Sequence, residues 1–329
     1  MLDHIISAGF TALDRFALAV VIGVAAAGFW LLVDENDRHT LSTGLSRLLG
    51  IALACLAITS VTILIMRTAV MADVPPHEAW PFIPRVLTHS EFGVLWILRM
   101  MTLCALVTIL FRLRHSASIL NFTLVAACGT LLAFLVSSGG HAADDGSLTF
   151  TNAVNWLHIT AGCLWGGTVI AYATVVLPPL LRNNKTQAMK SNVASSATRL
   201  STLAGSALLV VVITGILNAW RQLTLVSDLW SSDYGMILSG KVAVVGVMAG
   251  IGALNRFVVV PAVETWAGAQ SPLTNSELTS VPYRFLKVLR LDTIIFALII
   301  VCAAVLGMQA PPYHEDAAHY SLPLKSRFT

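Results

Sequence analysis

The sequence predicts an all-α bundle of eight membrane-crossing helices, and three observations carry that expectation. Only 11% of the 329 residues are charged and 56% are hydrophobic, with a mean hydropathy of +0.78, whereas a soluble globular protein is about 25% charged. Too few polar residues remain to cover a water-facing surface, which excludes a soluble enzyme. Uncharged, mostly apolar runs of about 18 residues or more recur from end to end, each long enough to cross a bilayer. These runs do not alternate polar and apolar residues as barrel strands do, so helices must satisfy their backbone groups.

Charged and turn-forming residues delimit the elements in order. The first run begins near Phe16, after an acidic start (MLDH) that does not read as a cleaved secretory signal, and covers about 16 to 33. The charges from Asp34 to Arg47 separate it from the second, about 48 to 66. MADVPPHEAWPFIPRVLTHSE follows, with too many prolines for a continuous helix. The third run, about 92 to 111, is closed by Arg112, Arg114 and His115, and the fourth, about 117 to 140, ends in SSGGHAADD. The remaining four cover about 153 to 177, 200 to 220, 235 to 255 and 293 to 310, the last preceded by Arg284, Lys287 and Arg290. Asp292 is expected beside Arg290 at the membrane interface. At about 1.5 Å per residue each run reaches roughly 27 to 36 Å, enough to span the hydrocarbon core.

The placement of charge predicts orientation. With Arg99 and Lys241 set aside as lying within spans, twelve Lys and Arg fall in the loops after the odd-numbered helices and six on the opposite side. By the positive-inside rule both termini and the even-numbered loops face outward, toward the periplasm in a bacterial inner membrane. Eleven acids, including Asp14, lie on that outer side against five inside, so an approaching cation meets an attractive field. Six of nine histidines lie there too, and His158 sits within the first turns of the fifth helix. The net charge of +3 is therefore read as topology, and nucleic-acid binding is not expected. Five scattered cysteines within apolar runs form no CxxC pair and no disulfide framework.

An internal repeat divides the chain into halves of four helices, 1–145 and 146–329. EFGVLWILR, with Glu91, Gly93 and Arg99, corresponds to DYGMILSGK, with Asp233, Gly235 and Lys241; SRLLG at 46–50 corresponds to TRLST at 198–202. Four helices per half give both halves the same direction, a parallel repeat with any shared site between them. Arg99 and Lys241 each cost on the order of 2.5 to 3.5 kcal/mol at mid-bilayer. Arg99 is expected to pair with a nearby acid and Lys241 to snorkel outward, or both to act on an ion's passage.

Ligand chemistry gathers at the outer helix ends. His141 follows two glycines, and Asn155, His158, Gly162 and Trp165 share one helical face. His89 enters the third helix at the same level, and Met71, Met236 and Met308 lie near outer ends. Imidazole with thioether suits copper, above all Cu(I). His77 in the proline-rich loop and His314 and His319 in the tail form accessory capture positions. The rival reading is a b-type cytochrome exchanging electrons with quinone, with haem b held by a pair drawn from His89, His141 and His158.

Arg199, Gly215, Asn218, Tyr234, Gly235, Lys241, Asn255 and Arg256, within about 195 to 262, resemble the CopD family of copper resistance membrane proteins, as do GHAA at 140–143 and Trp156, His158, Trp165, Gly166 and Gly167. The resemblance implies an inner-membrane protein that takes copper from a separate periplasmic CopC-type partner, in import or homeostasis. The expectation is therefore copper bound by His141 and His158, helped by His89 and a methionine, and moved between the halves past Lys241 and Arg99, without enzymatic chemistry.

Overall fold

The structure is a computed structural model that describes residues 2–140, 148–182, 186–268 and 276–309. The helices are α1 (Leu2–Ala26), α2 (Glu35–Ala72), α3 (Ile83–His89), α4 (Glu91–His115), α5 (Ile119–Ser138), α6 (Phe150–Ala171), α7 (Leu177–Arg182), α8 (Gln187–Gln222), α9 (Asp228–Ser231), α10 (Asp233–Leu254), α11 (Val260–Gly268) and α12 (Ser276–Leu306). Eight helical stretches are long and apolar enough to cross a membrane. Among the described residues there is no strand. The protein is an all-α, multi-pass membrane protein.

Capping chemistry sets where the helices begin. Asp34, Ser90, Ser118, Thr149, Thr186 and Ser232 each accept a hydrogen bond from a backbone N–H of the first turn, satisfying donors that the helix itself leaves open. α2 and α8 run well past the apolar stretches read from sequence, because hydropathy marks only the part in lipid while a cap marks where the helix starts. The proline-rich stretch folds into two 3-10 turns, Pro76–Glu78 and Trp80–Phe82, followed by α3.

α1 and α6 form the centre. The apolar window of α1 is 78% buried and that of α10 only 11%, so α10 lies on the periphery. α1 packs on α2, α5, α6 and α12, and α6 packs on α1, α5, α8 and α12. At the crossing a Cβ on Gly23 would overlap the carbonyl of Gly167, and one on Gly167 would overlap that of Ala19. Bare backbones let the helices approach to this distance, the usual basis of helix association in lipid.

Local features recur between the N-terminal and C-terminal helices. A π-helical turn follows α1 at Ala27–Leu31 and α6 at Tyr172–Val176. Ser90 caps α4 through the N–H of Gly93 at 3.0 Å, and Ser232 caps α10 through that of Gly235 at 3.0 Å. A Cβ on Gly93 would strike α3, and one on Gly235 would strike α9.

Three charged residues, Asp14, Arg15 and Asp292, lie elsewhere than the sequence reading places them. Asp14 is inside the bundle, 2% exposed, because the first membrane stretch begins at Ile6 and not at Phe16. Moving Asp14 and Arg15 out of the flanks removes one charge of each sign and leaves the asymmetry unchanged. Asp292 is buried and accepts a hydrogen bond from Asn255 Nδ2 at 3.3 Å; it is not an interfacial partner of Arg290.

Candidate functional site

We call the face at which α1, α4, α6 and α10 begin the upper face. A cavity of about 2290 Å³ lies in that half of the bundle, lined by residues of α1, α2, α4, α5, α6, α8, α10 and α12. α1 lines it with a polar stripe, Ser7, Thr11 and Asp14, whose spacing of four and three residues keeps one helical face.

On one side, Asp14 accepts a hydrogen bond from Thr59 Oγ1 at 2.6 Å and forms an ion pair with Arg99. Arg99 Nε donates to Ser60 Oγ at 2.7 Å, and Trp96 Nε1 donates to the carbonyl of Ser60 at 3.0 Å. Arg99 therefore has the acid partner expected of it, on a helix 85 residues away in sequence. Arg15 sits beside this pair, and its buried Nη1 has no hydrogen-bond partner.

On the other side stands His158 of α6. Its Nδ1 lies 3.0 Å from Thr214 Oγ1. That hydroxyl also reaches the carbonyls of Val210 at 2.6 Å and Val211 at 3.3 Å; with its proton donated to either, the imidazole proton is assigned to Nδ1 and the lone pair of Nε2 is left for a ligand. One turn toward the upper face, Asn155 Nδ2 donates to Ser137 Oγ at 2.9 Å and its Oδ1 accepts from Asn218 Nδ2 at 3.4 Å. Lys241 of α10 shares the cavity and is close enough to His158 and to Cys302 to interact electrostatically with both. It has no hydrogen bond or ion pair among the described residues, and does not reach outward to a partner.

The sequence-predicted residues divide clearly. His158, Asn155, Met71, Met308, Arg99 and Lys241 line the cavity. His89 does not: it is exposed and its Nδ1 lies 2.6 Å from the hydroxyl of its neighbour Thr88. Met236 is 53% exposed and does not line the cavity, and His77 is exposed beside Glu78 at 3.4 Å. His141, His314 and His319 lie outside the described residues, although Gly140, which precedes His141, lines the cavity. Among the described residues no group of three or more His, Cys, Asp or Glu comes together as a metal site. Met66 and Cys163 also line the cavity and offer sulfur that the sequence reading does not single out.

Residues 1–150 match the family described as "Copper resistance protein D-like, N-terminal domain", and residues 194–306 match "Copper resistance protein D". The chain is 33% identical over 261 residues to copper resistance protein D of Pseudomonas syringae pv. tomato, covering 76% of this chain and 82% of that one. The chain belongs to the copper resistance protein D family. No solved structure matches it. The family membership makes it a copper-handling membrane protein, and Gly215, Asn218, Tyr234 and Lys241, which carry the resemblance in sequence, all line the cavity.

Proposed function

We propose that this copper resistance protein D homologue is a copper carrier of a bacterial inner membrane, with its upper face and both termini in the periplasm. Copper arrives from a separate CopC-like protein, enters the cavity and is held at Nε2 of His158, with a thioether from Met308 or Met71 and the imidazole of His141. It then moves between the halves 1–145 and 146–329 in import or homeostasis. The single observation that supports this reading is the imidazole at the cavity wall, oriented by Thr214 so that a lone pair remains for metal. A fixed tautomer is what a ligating histidine requires. Arg99 is neutralised by Asp14, so the charges opposing a cation in the pathway are those of Lys241 and Arg15. The reading is of a carrier, not of an enzyme. The rival reading, haem b held by an axial pair that includes His158, is told apart by the absorption spectrum of the purified protein.

Copper bound per mole of purified protein, and copper accumulated by cells expressing it, test the proposal in His158→Ala and His141→Ala. Each variant is expected to lose at least about tenfold in copper affinity, since removing one of two or three ligands forfeits more than 1.4 kcal/mol, and the copper-loaded wild type is expected to lack a Soret band. Unchanged binding and unchanged accumulation in both variants would refute the site.

A further inference from the structure

The arrangement around Asp14 recurs around His158 with one change. Gly23 and Gly167 meet at the α1–α6 crossing, and Asp14 and His158 each stand nine residues before their glycine. Thr59 of α2 bonds to Asp14, and Thr214 of α8 bonds to His158. Arg99 and Lys241 each follow their capping serine, Ser90 and Ser232, by nine residues. The second arrangement therefore keeps the hydroxyl and the base but has an imidazole where the first has a carboxylate.

Two donors on α10 are left without an acceptor as a result. Lys241 has neither hydrogen bond nor ion pair among the described residues, and the hydroxyl of Tyr234, a side chain only 6% exposed, has no hydrogen bond there either. They stand seven residues apart, two turns or roughly 10 Å along the axis, on one helical face, and both line the cavity. Apart from Arg67, Asp73 and Glu91 at the helix ends, the charged residues that line the cavity are Asp14, Arg15, Arg99 and Lys241, three bases against one acid. An uncompensated ammonium in a membrane interior is costly and is normally paired.

We infer that a small monovalent anion, a carboxylate or a halide, binds at the Lys241 ammonium on the cavity face of α10 and supplies the charge that Asp14 supplies to Arg99. The inference stands without copper at His158, and its test uses metal-free protein. Full-length protein in detergent is titrated with carbon-13 acetate and, separately, with chloride, following line broadening of the carboxylate carbon and of chlorine-35. Saturable broadening by at least one anion is expected in the wild type. Affinity falls by about tenfold or more in Lys241→Gln, as loss of a hydrogen bond to a charged group implies, and is retained in Lys241→Arg. His158→Asp, which restores an internal carboxylate and removes no base, is expected to abolish binding, and it keeps the test decisive where Lys241→Gln does not fold. Competition between the two probes tells carboxylate from halide. No saturable broadening by either anion, wild-type affinity in Lys241→Gln or His158→Asp, or phosphatidylglycerol retained in place of both probes would overturn the assignment.

Discussion

Asp14 is the residue on which the interior of the first four helices depends. Asp14 is 2% exposed, accepts a hydrogen bond from Thr59 and pairs with Arg99, with Arg15 beside it. Removing one member of a buried pair leaves the other charge uncompensated, at a cost of about 3 to 5 kcal/mol, whereas removing both costs much less. Asp14→Asn is therefore expected to lower the unfolding midpoint in detergent more than the double variant Asp14→Asn with Arg99→Gln does. A double variant as unstable as the sum of the singles would show that the pair is not coupled. From the sequence, the need for an acid near Arg99 is visible, since a lone guanidinium in lipid demands one. The identity of the acid is not, because a hydrophobic run says where lipid begins only to within a few turns, and Asp14 stands just before the apparent start. The Ser7, Thr11, Asp14 stripe is the signal that finds it. His158 is legible for the opposite reason: it lies inside an unmistakable apolar run, where an imidazole needs a purpose.

At the scale of elements, existence is easier to read than extent. All eight membrane helices follow from apolar length, but their ends follow from Asp34, Thr186 and similar caps, which hydropathy does not weigh. Close approach is partly legible: Gly166 and Gly167 belong to the family resemblance, yet their partner Gly23 looks like any glycine until α1 and α6 are laid together. Gly23→Ala drives a methyl group into the carbonyl of Gly167, and overpacking of this kind costs about 1 to 3 kcal/mol. Gly246, also helical, has open space within 4 Å of the position an added methyl group would take, so Gly246→Ala is expected to raise stability by up to about 1 kcal/mol through backbone entropy and helix propensity. Thermal unfolding of the two variants in the same detergent should shift in opposite directions; equal shifts would mean that the crossing has room the structure does not show.

At the scale of the whole molecule, function depends on which way the cavity faces. An even number of crossings puts both ends of the chain on one side, and the lower face collects Arg38, Arg47, Arg112, Arg114, Arg182, Lys190 and Arg199 from the N-terminal and central loops and Arg284, Lys287 and Arg290 near the start of α12. Basic loops of this length stay on the cytoplasmic side, and in the proposed orientation the cavity end that carries Arg67, Asp73 and Glu91 faces the periplasm. In the proposed carrier, the acids at that end draw a cation in, and the bases below resist its passage until an anion or a ligand change offsets them. A phosphatase that is active only in the periplasm, fused after the C-terminus, is therefore expected to be active, and the same enzyme fused after Ser116, between α4 and α5, to be inactive. The reverse pattern would place that end of the cavity in the cytoplasm, where the same cavity would load copper from within and the proposed carrier would export.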